Sequence, residues 1–279
     1  MSYHRILTIQ DISCVGQCSM TVALPILSAC GLETAILPSA VLSTHTGGFS
    51  GFTVRDLAPD MPAIEAHWCK EGLKFHAIYT GYLGSVDQID YVKSIAKNCL
   101  TEGAPLIVDP AMADHGKLYY GFDQNYVNAM KRLCDGADVV IPNITEACML
   151  TDHPYTEDYD RAYIDELIEK LLLLGAKRVV LTGISFEEGY TGIVVRDENG
   201  TNYYRHVKIP QSFHGTGDIY ASAMVGAWMR GHSLFDAVKI AADYTVRCIE
   251  KTVGDASHWY GVKFELALPY LVSTLGENE

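Results

Sequence analysis

Short β-rich runs alternate with longer helical patterns along almost the whole chain, and this alternation restricts the fold more than any other feature. Residues 5–10 (RILTIQ) read as a buried strand, and residues 16–30 as a helix that Pro25 should kink. A second strand is expected over 33–41, an irregular stretch over 50–62 and a helix over 63–72. Strands over 75–80, 105–108, 138–141 and 178–181 follow, separated by helices over 86–102, 126–134 and 163–174. The pattern then changes. Residues 192–196 and 203–209, joined through Asp197-Glu198-Asn199-Gly200, predict an antiparallel hairpin, and helical stretches over 233–253 and 264–275 come last.

Repeated βα units bury a mainly parallel sheet between helical layers through right-handed crossovers, so an α/β fold is expected. No Pro/Gly/Ser-rich linker or internal repeat divides the 279 residues, and one domain over 1–279 is the simplest reading. The formal charge of −13 disfavours nucleic acid and anionic membrane as partners, because both recruit basic surfaces. No apolar run reaches the roughly 18 residues of a membrane span, and no signal-peptide core follows Met1. Eight scattered cysteines among apolar neighbours suit buried free thiols in a reducing compartment. A cytoplasmic location is expected.

In an open α/β sheet, ligands sit outside the carboxyl ends of the strands, so the residues after each expected strand carry the functional information. These are Gln10-Asp11, His45-Thr46-Gly47, Gly81-Tyr82, Asp109-Pro110, Asn143 with Glu146, and Thr182-Gly183. Asp109 is placed either to hold Mg²⁺, directly or through water, or to form a turn before Pro110. Asn143-x-x-Glu146 matches a helix capping box, and at the same rim it also suits a metal–phosphate role. Lys117 offers a cation to phosphate, or is a solvated surface lysine. Tyr82 is placed to stack on an aromatic ligand, or to pack at its turn.

Residues 212–226 read as a glycine-bearing turn that opens a nearly all-apolar helix, with Asp218 in the first turn. Helix starts carry N–H groups without intrahelical partners and the positive end of the dipole, and glycines let a ligand approach the backbone. Gly215, Thr216 and Gly217 are therefore candidates to hold a phosphoryl group, and Asp218 to act as a base. The alternative is an ordinary helix start at which Asp218 favours the dipole. Two common phosphate motifs are absent. Gly116-Lys117 lacks the upstream glycine of G-x-x-x-x-G-K-[ST], and Tyr220 stands where G-x-G-x-x-G needs its third glycine.

With these residues in place, the chain resembles the ribokinase-like superfamily and, within it, the pyridoxal kinases. The similarity runs in order through Ile6-Leu7-Thr8-Ile9-Gln10, Ser43-Thr44-His45-Thr46-Gly47, Thr80-Gly81-Tyr82 and Asp109-Pro110. It continues through Gly116-Lys117-Leu118-Tyr119, Pro142-Asn143-x-x-Glu146-Ala147 and Gly215-Thr216-Gly217-Asp218. The resemblance implies a three-layer α/β/α sandwich with an antiparallel hairpin before the catalytic helix. It also implies ATP-dependent, Mg²⁺-assisted phosphorylation of the hydroxymethyl group of a B6 vitamer, with a monovalent cation left open, by a homodimer. By the same resemblance Asp218 accepts the hydroxyl proton, and the amides of Gly215, Thr216 and Gly217 stabilise the transferring group. Asp109, Asn143 and Glu146 organise Mg²⁺ and the triphosphate, with Asp109 and Glu146 as the metal-side acids. Lys117, Thr182 and Gly183 fall on the nucleotide side; Asp11, His45, Thr46 and Tyr82 fall on the acceptor side.

Two departures bear on the acceptor: the family usually has Ser where this chain has Asp11, and Tyr where it has Gly48. Hydroxymethylpyrimidine kinases of the same fold are the nearest alternative, although they usually carry Cys where this chain has Asp218. From another class, a vitamin- or nucleotide-binding protein without turnover fits the same residues.

Overall fold

The computed structural model describes residues 3–276. Strand β1 (Arg5–Ser13) leads through an irregular stretch into α1 (Met20–Ala29), and β2 (Glu33–Leu42) is followed by the short β3 (Val54–Asp56). A 3-10 turn (Ala58–Asp60) and α2 (Met61–Lys70) precede β4 (Ala77–Thr80), and α3 (Val86–Cys99) precedes β5 (Leu106–Val108). A small hairpin of β6 (Ala113–Asp114) and β7 (Lys117–Leu118) comes next, then α4 (Gln124–Cys134), β8 (Val139–Val140), α5 (Ile144–Thr151) and α6 (Arg161–Leu173). Strands β9 (Val179–Ile184), β10 (Tyr190–Asp197) and β11 (Gly200–Val207) form a meander before α7 (Thr216–Met229), α8 (Leu234–Glu250) and α9 (Leu268–Gly276).

The main sheet has the order β11-β10-β9-β8-β5-β4-β1-β2-β3. Pairing is parallel from β2 across to β9, and antiparallel strands are added at both edges. The chain winds outward from β1 in both directions, to β2 on one side and to β4 on the other. That reversal opens a crevice at the carboxyl ends of β1 and β4, where ligands of doubly wound sheets bind.

Alternate residues of each strand feed two cores, as a period of two requires. Ile6, Tyr79, Ile107 and Val139 pack with α1, α7 and α8; Leu7, Ile9, Ile78 and Val108 pack with the helices from α2 to α6. The sandwich expected from the βα repeats and the hairpin is therefore the observed α/β/α architecture. Within it, α7 lies against both α1 and α8, and its residues from Ile219 to Ala227 are all buried. A helix apolar all round has no solvent face to show, which accounts for its central position.

Three local expectations change. The stretch over 50–62 is not irregular throughout: Val54, Arg55 and Asp56 pair antiparallel with β2 at the sheet edge. All three are exposed, so no apolar alternation marked them. The helix expected over 16–30 begins only at Met20, because Gly16 (φ +131°) and Ser19 (φ +52°) hold backbone that a helix excludes. The strand expected over 178–181 runs on to Ile184 past a bulge at Gly183, whose φ is +76°. Pro25 stays inside α1, and all eight cysteines are free thiols. Among the described residues no helix is long and apolar enough to cross a membrane.

Candidate active site

The start of α7 faces the crevice. Gly215 is its N-cap residue, at φ +78°, and no side chain caps the helix. A Cβ at Gly215 would lie 1.7 Å from the Gln17 carbonyl oxygen, so the turn is pressed directly against the irregular stretch before α1. That stretch delivers the backbone N–H of Ser19 to Asp218 Oδ2 at 3.0 Å. Burial pushes the Asp218 carboxyl up to about 6, more than the Ser19 hydrogen bond pulls it down, and the Asp11 charge adds to the rise. The first-turn acid is therefore held by a segment almost two hundred residues away in sequence, not by its own helix.

Asp109 follows β5 at the same rim. Its N–H donates to the Thr80 carbonyl at 3.1 Å, and its Oδ1 accepts from Ala111 N–H at 3.2 Å. Burial, then the charges of Glu146 and Asp218, raise its pKa well above the ordinary carboxylate range. Among the described residues, no lysine or arginine balances Asp109 or Asp218.

Asn143 and Glu146 form a complete capping box at α5: Asn143 Oδ1 accepts from Glu146 N–H, and Glu146 Oε2 accepts from Asn143 N–H, both at 2.9 Å. The same side chains hold the β6–β7 hairpin. Glu146 Oε1 accepts from Met112 N–H (3.0 Å) and Ala113 N–H (3.4 Å), while Asn143 Nδ2 donates to the Ala113 carbonyl (2.8 Å). Three backbone N–H groups thus engage the two oxygens of Glu146, the acid expected on the metal side. Its position in the structure is that of an anchor beneath the loop. Burial raises its pKa against those three hydrogen bonds.

The remaining nucleotide-side candidates are contiguous with this anchor. Thr182 bridges to Asn143, with its N–H and hydroxyl both on the Pro142 carbonyl, and Gly183 is the exposed bulge beyond it. Lys117 lies on the exposed edge of the β6–β7 hairpin, and among the described residues it forms no ion pair.

On the acceptor side, Asp11 is buried and Thr46 is exposed. Tyr82 is half-buried and stacks on Phe122 at 5.5 Å, and Phe122 stacks in turn on Tyr126 at 3.7 Å. His45, expected on the acceptor side, is buried and held by backbone groups. Gly47 N–H donates to its Nδ1 at 3.0 Å, so Nε2 carries the proton and donates to the Tyr260 carbonyl at 2.8 Å. Both ring nitrogens are spent, and burial lowers its pKa, so His45 is a neutral strut that ties two loops together.

Several residues at the site were not expected from sequence. Ser19 contributes a backbone N–H, which leaves no side-chain signal. His214, Phe49, Trp259 and Tyr260 form an aromatic group around His45, with ring centroids 4.6–6.3 Å apart. The clue was available in His258-Trp259-Tyr260-Gly261, three rings before a glycine outside any helical pattern.

An α/β/α sandwich with an uncapped helix start and buried acids together at its switch point is the arrangement of a small-molecule kinase of the ribokinase-like kind. The family model for phosphomethylpyrimidine kinase matches residues 25–261, and the chain belongs to that family. A Bacteroides thetaiotaomicron protein described as a phosphomethylpyrimidine kinase, in a crystal form with pyridoxal, is 34% identical. Its TM-score is 0.92, and the match covers 97% of this chain and 96% of that one. The pyridoxal kinase of Lactobacillus plantarum is 33% identical with a TM-score of 0.91, covering 100% of this chain and 99% of that one. The hydroxymethylpyrimidine/phosphomethylpyrimidine kinase of Bacillus subtilis is 26% identical over 227 residues, 80% of this chain and 79% of its own.

Proposed function

We propose that this chain, acting as one catalytic unit over 1–279, transfers the γ-phosphoryl group of ATP to the 5′-hydroxymethyl group of pyridoxal or a close B6 relative. The observation that carries the reading is Asp218: one oxygen fixed by Ser19 N–H, the other unanchored, at an uncapped helix start. As the acceptor oxygen bonds to the γ-phosphorus and the bond to ADP breaks, the hydroxyl proton passes to Asp218 Oδ1. The amides of Gly215, Thr216 and Gly217 face the charge on the transferring group. Phosphoryl transfer is served by positioning and charge stabilisation more than by a strong base, so a carboxylate raised to about 6 is adequate.

The donor set suits Mg²⁺ that arrives with phosphate. Asp109 offers an oxygen, and among the described residues no cation balances it and no three His, Cys, Asp or Glu side chains form a cage of their own. When bound, Mg²⁺ would neutralise phosphate charge beside Asp109. Asn143, Glu146 and Thr182 hold the backbone around the polyphosphate, and Lys117 is free to meet it.

A second reading has support in the family match and in the Bacillus subtilis relative: phosphorylation of hydroxymethylpyrimidine. Asp218 favours the B6 reading, since hydroxymethylpyrimidine kinases usually carry Cys there. The deciding experiment is a phosphorylation screen of the purified chain with Mg-ATP against pyridoxal, pyridoxine, pyridoxamine, hydroxymethylpyrimidine and common sugars. A B6 vitamer should give the highest kcat/KM. Preference for hydroxymethylpyrimidine would install the second reading, and turnover of sugars alone would remove both. Asp218→Asn should lose at least about a hundredfold in kcat while ATP binding, read by calorimetry, is retained; near-normal kcat would remove Asp218 as the base.

A further inference from the structure

Asp11 stands at the crevice end of β1, where the register with β2 slips: Gln10 lies opposite Pro38, and Ile12 opposite Val41. Its side chain is only 5% exposed. Ser13 Oγ donates to Oδ2 at 3.0 Å, and the Ser19 hydroxyl lies alongside. The other groups that sense its charge are Cys18, His45, Tyr82 and Asp218. None of them is a cation, because His45 is held neutral by its two backbone partners. A buried carboxylate held by two hydroxyls and its own backbone N–H, with no charge partner among the groups around it, is costly, and a serine at this position would satisfy Ser13 at far lower cost. The expense has a use if a ligand brings the missing donor.

The wall beside Asp11 narrows that ligand to a flat ring. Trp259 occupies the space a side chain at residue 48 would fill: a Cβ on Gly48, which sits at φ +82°, would lie 2.8 Å from indole Cζ3. Trp259 packs on Phe49 at 4.6 Å, and Phe49 meets His45 edge-on at 5.0 Å. Through His45 and His214 the wall continues to the turn that precedes Gly215. The aromatic surface missing at Gly48 is thus supplied by the segment after α8.

Resting on the kinase reading above, we infer that Asp11 determines acceptor specificity by selecting planar nitrogen heterocycles that present an N–H donor, a protonated ring nitrogen or a ring amine. A charge-assisted hydrogen bond to that N–H gives Asp11 the donor it lacks, while Phe49 and Trp259 flank the ring. A ring of the same shape without the N–H leaves the buried carboxylate without a charge-assisted partner, and sites of that kind reject such analogues strongly.

The test compares wild type, Asp11→Ser, Asp11→Asn and Trp259→Ala, each checked by thermal melt. The acceptors are pyridoxamine and its benzene analogue, which has carbon in place of the ring nitrogen. Wild type should prefer the heterocycle by about a hundredfold or more in kcat/KM. Both Asp11 variants should cut that preference to about tenfold or less, through KM for the acceptor and with KM for ATP unchanged. Trp259→Ala should raise KM for both rings alike and leave the preference intact. A preference that survives in Asp11→Ser, or that collapses only in Trp259→Ala, overturns the assignment. If wild type phosphorylates no heteroaromatic alcohol, the kinase reading has failed on its own. Calorimetric binding of pyridoxamine to wild type and Asp11→Ser then decides the role of Asp11, equal affinities counting against it.

Discussion

Gly215 and Gly217 stand two residues apart in one turn, yet the structure gives them opposite constraints. Gly215 is needed by the protein: its φ is +78°, and a methyl group would meet the Gln17 carbonyl at 1.7 Å. Gly217 has ordinary helical backbone, and nothing lies within 4 Å of the place its methyl would take. Gly215→Ala should therefore lower Tm by several degrees, since a positive φ alone costs about 1–2 kcal/mol and the backbone clash adds to it. It should also pull Ser19 N–H away from Asp218. Gly217→Ala should fold as well as wild type or better, because alanine is favoured over glycine in a helix by roughly 0.5–1 kcal/mol. If the transferring phosphoryl group uses that space, Gly217→Ala nevertheless loses at least about tenfold in kcat. Melting curves and steady-state kinetics on the two variants separate these outcomes; full activity in Gly217→Ala would show that no ligand atom passes there. The Gly-Thr-Gly-Asp string was legible as a glycine-bearing turn that opens a helix. The division of labour inside it was not, because the carbonyl that crowds Gly215 belongs to a distant segment with no motif.

At the scale of elements, the start of α5 is a clamp for the hairpin between β5 and α4. Three of its residues reach the hairpin: Asn143 and Glu146 through the bonds already described, and Thr145, whose Oγ1 accepts from Gly116 N–H at 3.0 Å. Asn-x-x-Glu at a helix start reads equally well as a cap and as a phosphate motif, and the structure shows the cap in full. What sequence did not disclose is that the capping carboxylate also carries the loop, since Met112 and Ala113 contribute only backbone. Legibility tracks side chains. Residues 16–19 and β3, placed by backbone geometry or by edge pairing, were misread, whereas strands with alternating apolar residues were found within a few positions. The clamp predicts that Thr145→Val, which keeps the shape and removes the hydroxyl, costs about 1 kcal/mol by leaving Gly116 N–H without its acceptor. Amide exchange should accelerate over 112–118 and remain unchanged in the central strands. On the proposed reading, KM for ATP rises while KM for the acceptor does not. Unchanged exchange across the hairpin would mean that Thr145 does not restrain it.

For the whole molecule, the acids collected at the crevice set activity and stability against each other. Burial raises the pKa of Asp11, Asp109, Glu146 and Asp218 alike, so the folded protein binds protons there more readily than the unfolded chain. For Asp218 the window runs from 3.8 to about 6. The stability it contributes is fully present below 3.8 and is lost as pH rises through about 6, where the buried carboxylate ionises. Catalysis needs the opposite form, so kcat/KM should fall as pH drops through about 6. A formal charge of −13 adds self-repulsion near neutrality, which acidification relieves. Surface acids such as Asp255 and Glu198 pull the other way, because salt bridges hold their pKa low, but surface pairs of that kind contribute little and are screened by salt. At about 0.15 M salt the buried group should dominate. Tm is then expected to rise as pH falls from about 7.5 towards about 5.5, while kcat/KM declines over the same range. Asp218→Asn isolates the contribution. Its Tm should exceed that of wild type at neutral pH, and the gap should close as pH falls below 3.8, where the wild-type carboxyl is protonated in both states. A gap that stays constant with pH would mean that Asp218 is solvated well enough to ionise without penalty, and its pKa would then be ordinary.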